Sequence, residues 1–374
     1  MKKIAICCIS YNRVLSLKRL LASLNNASYE REVTLIISID KSDTDVVERY
    51  ADEFVWQYGE KRVIKHKENM GLRKHILSCG NHLDEFDALI VLEDDITVSP
   101  SFFIYSEQCV ENYFDDDRIA GISLYGWATN IHNFMPFSPI KSDSDVYLMQ
   151  LAQSWGQIWM KKQWMDFMRW YNSPASELSK TSHLPSSVLG WSEKSWLKYH
   201  IRYCIEQDKW FVYPYTSMST NNAEEGTHNK NRNTVFQVPL FMDVKQKFII
   251  NPTVRYDSFY ENEAIYDMIH LDKSELCIDL YGNKGNREKK RYWLSCRKLG
   301  FNIVRSYGLN YKPIEVNVLL NEPGKQIFLY DTSEKVRKCV GWGNFRVFCY
   351  FFNYTCIVEH FKHYVKYLIN YKQY

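Results

Sequence analysis

Three consecutive carboxylates, Glu93-Asp94-Asp95, close the apolar run Asp87-Ala88-Leu89-Ile90-Val91-Leu92. Adjacent carboxylates at the end of a buried strand repel one another, and burial raises the cost of keeping each ionised. A divalent cation offsets that repulsion. Mn²⁺ or Mg²⁺ characteristically takes one or two carboxylates and fills its shell with phosphate oxygens of a substrate. At this position it would neutralise a departing pyrophosphate where the charge develops. A solvated acidic turn is the plainer alternative, and the triplet alone does not decide between them.

The elements around the triplet bear on that choice. Residues 3–10 form a continuous apolar strand, and residues 14–24 place Leu17, Leu20, Leu21 and Leu24 on one helical face. Residues 34–40 read as a second buried strand, with Ser42 as N-cap of the helix after it. Residues 62–66 give a short third strand, 72–82 a helix, and 87–92 the fourth apolar run. Such strands, separated by helix-length segments, predict an α/β fold with a mostly parallel sheet flanked by helices. Ligands of such sheets bind at the carboxyl ends of the strands. Ser10-Tyr11-Asn12-Arg13, Asp40-Lys41-Ser42 and Glu93-Asp94-Asp95 all terminate these strands, so the clusters converge on one rim. Farther on, a helix runs from Pro100 to about residue 113, and residues 121–125 form a strand. Residues 146–230 are an aromatic stretch with helices at 161–171 and 191–206. A smaller α/β pattern follows, with strands at 276–281, 302–305 and 326–330.

Composition narrows the classes. The chain has 374 residues, 45% hydrophobic and 24% charged, which fits a packed globular protein and excludes a disordered one. A net charge of +3 does not mark a nucleic-acid binder. The ten cysteines contain no Cys-x-x-Cys pair, which disfavours a zinc site or disulfide framework and points to a reducing cytoplasm. The first apolar run is too short for a signal peptide, and no run of about 18 uncharged apolar residues exists to span a membrane. Aromatic residues reach 16%, suited to stacking on sugar faces and equally to a thick core.

The run Val91-Leu92-Glu93-Asp94-Asp95-Ile96, followed by Val98-Ser99-Pro100 and Phe102-Phe103, resembles the Glu-Asp-Asp signature of GT-A glycosyltransferases. The likeness is nearest to inverting N-acetylglucosaminyltransferases of the Golgi type and their bacterial surface-glycan relatives. It implies that Asp95 holds the metal and that Glu93 and Asp94 contact the sugar or ribose of the donor. Ile9-Ser10-Tyr11-Asn12-Arg13 before an amphipathic helix is similar to the opening of many such enzymes, which carries Ser10, Asn12 and Arg13 to the nucleotide border. Ser38-Ile39-Asp40 resembles the second-strand terminus whose Asp accepts a hydrogen bond from a uracil N–H. A cap or turn role is the alternative for Asp40.

Gln153-Ser154-Trp155-Gly156-Gln157-Ile158-Trp159, with Trp164 beyond, is similar to a Trp-Gly segment that lines the acceptor side in bacterial relatives. Trp191-Ser192-Glu193-Lys194-Ser195-Trp196 falls where the family carries its base, more often an Asp, so Glu193 takes that role, with Asp208 and Asp166 as weaker candidates. Glu193 is expected to open a helix, where the dipole alone would welcome it. Ser219-Thr220-Asn221-Asn222 with Glu224-Glu225-Gly226-Thr227-His228 resembles a more glycine-rich loop, and implies His228 as a contact to pyrophosphate or metal. The resemblance covers about residues 3–230.

It implies a metal-dependent inverting enzyme, with Mn²⁺ or Mg²⁺, that moves a sugar from a UDP-sugar to a glycan or lipid-linked acceptor in bacterial surface polysaccharide synthesis. Residues 1–245 would be the catalytic domain, with a nucleotide-sugar half of about 1–115 and an acceptor half of about 116–245. Residues 246–374 would be accessory. Its tail, 345–374, is aromatic with Arg346, Lys362, Lys366 and Lys372 interspersed. Such a helix docks on the second domain, the preferred reading, or makes a peripheral contact with the inner face of the plasma membrane. A sugar-nucleotide pyrophosphorylase would want a glycine-rich phosphate loop after the first strand, which Ser10-Tyr11-Asn12-Arg13 lacks. A silent glycan-binding scaffold would not need the intact triplet.

Overall fold

The computed structural model describes residues 1–176, 184–224, 234–284, 290–336, 343–353, 361–362 and 365–366. Two compact units divide the chain: residues 1–128 with 141–258, and residues 129–140 with 259–374. The expected single break at 245 is thus replaced by an excursion, 129–140, and a later crossing at 258.

The first unit contains β1 (Ile4–Ser10), α1 (Val14–Asn25), β2 (Thr34–Ile39), α2 (Val46–Glu53), β3 (Lys61–Lys65) and α3 (Leu72–Cys79). It continues with β4 (Ala88–Glu93), β5 (Ile96–Val98), α4 (Phe102–Tyr113), β6 (Ile119–Ser123), β7 (Val146–Met149), β8 (Gln157–Met160) and α5 (Lys161–Tyr171). Last come α6 (Ser186–Leu189), α7 (Leu197–Glu206), β9 (Trp210–Pro214), β10 (Ser219–Asn221) and β11 (Arg255–Tyr256). Nine strands form one mostly parallel sheet in the order β11-β7-β9-β6-β8-β4-β1-β2-β3. Every residue of β1 is buried, as a strand covered on both faces requires. Leu17, Leu20, Leu21 and Leu24 of α1 enter the same core as Ile6, Cys8, Leu35 and Ile37 of the sheet.

Register decides what meets at the rim. Ile9 pairs with Glu93, and Ser10 with Ile39, so β1, β2 and β4 end level. β8 runs antiparallel to both β4 and β6, and β9 runs parallel to β6. The carboxyl ends of β6 and β9 therefore share the edge used by β4. The ribbon β5–β10 pairs Asn221 with Ile96 and lays residues after β9 beside the triplet.

Two local expectations need correction. Ser42 does not cap α2: its Oγ donates to Thr44 O at 2.7 Å, and Asp45 occupies the N-cap position without a side-chain capping bond, its carboxylate pairing with Arg49 at 3.2 Å instead. The helix expected from 191 begins at Leu197, because Ser192 ties off a turn by accepting Lys194 N on its Oγ and Ser195 N on its carbonyl.

The second unit contains α8 (Ala264–Ile269), β12 (Leu276–Asp279), β13 (Tyr292–Ser295), β14 (Phe301–Tyr307), α9 (Val316–Leu319), β15 (Ile327–Lys335) and α10 (Gly343–Phe351). Its sheet order is β12-β13-β15-β14. Buried Asp279 is held by Arg297 inside it. Among the described residues no helix is long and apolar enough to cross a membrane.

Candidate active site

The carboxyl ends of β1, β2 and β4 open on a cavity of about 630 Å³. Its lining brings together Ser10 at the end of β1 with Asn12 and Arg13 beyond it, Asp40 after β2, and Glu93 at the end of β4 with Asp94 and Asp95 beyond it. Asp94 is buried. Ser10 Oγ donates to its Oδ2 at 2.9 Å, and Arg13 Nη2 donates to its Oδ1. Arg13 also reaches Asp95, Nη1 to Oδ2 at 3.3 Å. Asp95 Oδ1 is buried and has no hydrogen-bond partner among the described residues.

One guanidinium does not balance three carboxylates here. Burial first, then the charges of Asp95 and Asp94, push the Glu93 carboxyl up to about 8, although the Ser154 hydroxyl bonds to it. Burial lifts Asp94 to about 6 against the pull of Arg13. An orphaned carboxylate oxygen in an oxygen-rich, net-negative cluster fits a hard divalent cation. Among the described residues, no group of three or more His, Cys, Asp or Glu stands ready to hold a metal.

Asp40 is 4% exposed, and its carboxylate is heavily engaged. Oδ1 accepts Lys41 N at 2.9 Å and Met70 N at 2.8 Å, and Oδ2 accepts Gly71 N at 3.0 Å. It thereby fixes the loop that enters α3. A carboxylate has about four acceptor sites, so one on Oδ2 remains open. The cap and the nucleotide roles are compatible in this geometry.

Trp155 and Phe236 form an aromatic wall, with ring centroids 5.0 Å apart. Trp155 is pinned by its neighbours: Ser219 Oγ donates to its carbonyl at 2.5 Å, and its N–H goes to Gln153 Oε1. Gly156 after it has φ of +98°, and a Cβ there would press on Leu124 at 3.1 Å. Arg73, Lys74, His75, Lys194 and Glu224 also line the cavity, and none of them was expected there. Glu224 arrives with the β5–β10 ribbon and is held by Arg19 and Ser16 of α1.

Glu193 is not among the lining residues, although Lys194 is. Its side chain is 79% exposed and pairs at 2.8 Å with Lys198, whose own side chain is 1% exposed. The Lys198 hydrogen bond and charge hold the Glu193 carboxyl below its usual range. Asp208 precedes β9, which puts it on the sheet edge opposite the triplet, where it accepts Gln150 Nε2 at 2.7 Å. Asp166 lies on α5, which leaves β8 at that same far edge, and pairs with Arg169 at 2.8 Å. The topology removes both from the cavity. His228 lies outside the described residues.

Residues 5–134 match the family model described as Glycosyl transferase family 2. The matched segment holds β1, β2 and β4 with the whole acidic triplet, the residues on which the GT-A resemblance rests. No curated protein matches the chain. Among solved structures, TarS 1-349 from S. aureus in complex with UDP-GlcNAc is 14% identical over 61% of this chain and 61% of that chain, with a TM-score of 0.39. GalNAc-T7 with UDP, GalNAc and Mn²⁺ is 12% identical over 57% and 43%, TM-score 0.40. The mannosyltransferase PcManGT from Pyrobaculum calidifontis, in complex with GDP-Man and Mn²⁺, is 9% identical over 46% and 47%, TM-score 0.34. The chain thus spans less than two thirds of each of these chains.

Proposed function

We propose that the protein is a glycosyltransferase that moves a sugar from a UDP-sugar to a hydroxyl of a glycan or lipid-linked glycan, with inversion and with help from Mn²⁺ or Mg²⁺. The observation that carries this reading is the buried, unpartnered Oδ1 of Asp95 in a net-negative rim of strand ends. Asp95 would hold the cation, with His228 as a proposed second contact. When bound, the cation supplies positive charge to the departing diphosphate.

The protein's own groups do the positioning. Ser10 and Arg13 clamp Asp94, and the clamp fixes the direction of the triplet toward the ribose and sugar of the donor. The open acceptor site on Asp40 Oδ2 suits a uracil N3–H. Trp155 and Phe236 offer apolar faces for sugar C–H groups. An inverting attack needs a carboxylate on the acceptor side, and Glu193 is the proposed base. Lys198 keeps it ionised, so its Oε can take the acceptor hydroxyl proton as oxygen attacks the anomeric carbon. Surface-polysaccharide synthesis on the cytoplasmic side, with a peripheral contact through the C-terminal helix, is the setting that goes with this chemistry.

Calorimetric titration with UDP, with and without Mn²⁺, followed by a panel of nucleotide sugars scored for slow metal-dependent hydrolysis, tests the proposal. Metal-enhanced binding of UDP and hydrolysis of a UDP-sugar are expected. Equal binding with and without metal, or preference for another nucleotide, would overturn it.

A further inference from the structure

Glu224 lines the cavity with the triplet, yet its carboxylate is committed to α1. Ser16 Oγ donates to Oε2 and the Arg19 guanidinium pairs with Oε1, so two positions on one helical face hold both oxygens. Just before Glu224, the β5–β10 ladder runs out at the turn that carries Asp95. Asn221 pairs with Ile96, and Asn222 N then donates to Asp95 O at 2.8 Å. Asn222 Oδ1 accepts Thr97 Oγ1 at 2.8 Å on the facing strand. Between this bond and Glu224 the chain passes through Ala223, which is buried with φ of +55°. A residue with a Cβ stays in that left-handed region only where its surroundings hold it. Asn221 Oδ1 accepts Ala223 N at 2.7 Å on one side of the turn, and Glu224 grips α1 on the other. Helix α1 also holds the far end of β5, where Ser23 Oγ accepts Val98 N at 3.2 Å. Its N-cap residue, Arg13, reaches Asp94 and Asp95 directly.

We propose that Glu224 is a positioning residue for the cation. By anchoring the end of the β5–β10 ribbon on α1 it holds the Asp95 backbone, and with it the direction of the Asp95 carboxylate; this rests on the reading of Asp95 as the cation's ligand. The two Glu224 oxygens are taken by Ser16 and Arg19, and Arg19 offsets the charge. What the anchor supplies is position. A ribbon that slips at Asn222 releases the Asp95 carbonyl, and the carboxylate moves with it. Groups that orient a metal ligand from behind are worth about 10- to 100-fold in metal affinity. Position and charge predict opposite outcomes for Arg19. Removing this nearby positive charge strengthens cation binding if Glu224 acts through its charge or as a released ligand. It weakens cation binding if the pair is an anchor.

The test titrates Mn²⁺ by calorimetry into the full chain with saturating UDP, for wild type, Glu224→Gln, Arg19→Gln and Ser16→Ala. UDP affinity without metal and the melting temperature are measured for each. Glu224→Gln and Arg19→Gln should each weaken Mn²⁺ about 10- to 100-fold, and Ser16→Ala should weaken it less. Metal-free UDP affinity should stay near wild type, because Asp40 is fixed by a different loop. Tighter Mn²⁺ binding by Arg19→Gln overturns the inference, as does wild-type Mn²⁺ affinity in a folded Glu224→Gln. An equal loss of metal-free UDP affinity in Glu224→Gln also overturns it, and leaves the anchor as general support of the fold. If Glu224→Gln does not fold, Arg19→Gln and Ser16→Ala decide. A wild-type chain that takes up no Mn²⁺ with UDP refutes the cation reading itself, a different result from variants that bind Mn²⁺ as wild type does.

Discussion

Asp40→Asn keeps the outline of the side chain and exchanges one acceptor oxygen for a donor. Placed with its oxygen at Oδ1, the amide still accepts Lys41 N and Met70 N. Its NH₂ then faces Gly71 N, which now donates to Oδ2 at 3.0 Å, and two donors meet. The open acceptor site on Oδ2 is lost with it. Loss of a hydrogen bond to a charged group costs about 1.5–3 kcal/mol, so UDP affinity should fall roughly 10- to 150-fold. The unsatisfied Gly71 N–H should add about 1–3 kcal/mol of destabilisation, visible as a lower melting temperature without nucleotide. Calorimetry in saturating Mn²⁺ with UDP and with N3-methyl-UDP separates the two effects in a double-mutant cycle. Wild type should lose affinity for the methylated nucleotide by a similar factor, and Asp40→Asn should scarcely distinguish the two ligands. Independent, additive penalties would refute the contact and leave Asp40 as a loop clamp alone.

Glu193→Gln should lower kcat about 10²- to 10⁴-fold with donor affinity intact, and Asp208→Asn and Asp166→Asn, on the far sheet edge, should leave kcat near wild type; steady-state kinetics that reverse this pattern would move the base. His200 is fully buried against Phe167 and Phe211, and burial lowers its pKa to about 3. Its folded pKa lies below the unfolded one, so the stability it confers is complete above about pH 6.5 and is lost as pH falls toward 3. Chemical denaturation should show wild type losing about 1.4 kcal/mol per pH unit more than His200→Phe between pH 6 and 4, and parallel pH profiles would contradict this. Gly80→Ala should destabilise the chain by about 1–3 kcal/mol, because a Cβ there would stand 2.0 Å from Trp164 Nε1, and Trp164 is stacked on Trp159 at 3.7 Å. A melting temperature equal to wild type would count against that packing.

What was legible in the sequence follows from how each part is buried. β1, β2 and β4 are covered on both faces, so they stand out as unbroken apolar runs, and the polar residues that end them share one edge. The sequence alone therefore assigns Asp40 and the triplet to one rim. β7, β8 and β9 are 4, 4 and 5 residues long and lie within an aromatic stretch. Short buried strands carry no period that separates them from their surroundings. Sequence alone starts α7 too early because Ser192 closes a turn around Glu193, a competition between side chain and backbone that composition does not reveal. Glu224 and His75 reach the cavity through tertiary pairing, one by the β5–β10 ribbon and the other by the loop that Asp40 fixes. The excursion of residues 129–140 into the second unit likewise depends on contacts far apart in the chain.

The central claim is that Asp95 Oδ1 awaits a divalent cation that joins the protein to the donor diphosphate. Asp95→Asn retains the side-chain shape, removes its charge and leaves Ser10, Arg13 and Asp94 in place. UDP binding should be titrated by calorimetry with and without Mn²⁺ on wild type and on this variant. Wild type should bind UDP more tightly with Mn²⁺, and Asp95→Asn should bind it with the same weak affinity in both conditions. Undiminished Mn²⁺ enhancement in Asp95→Asn would contradict the account.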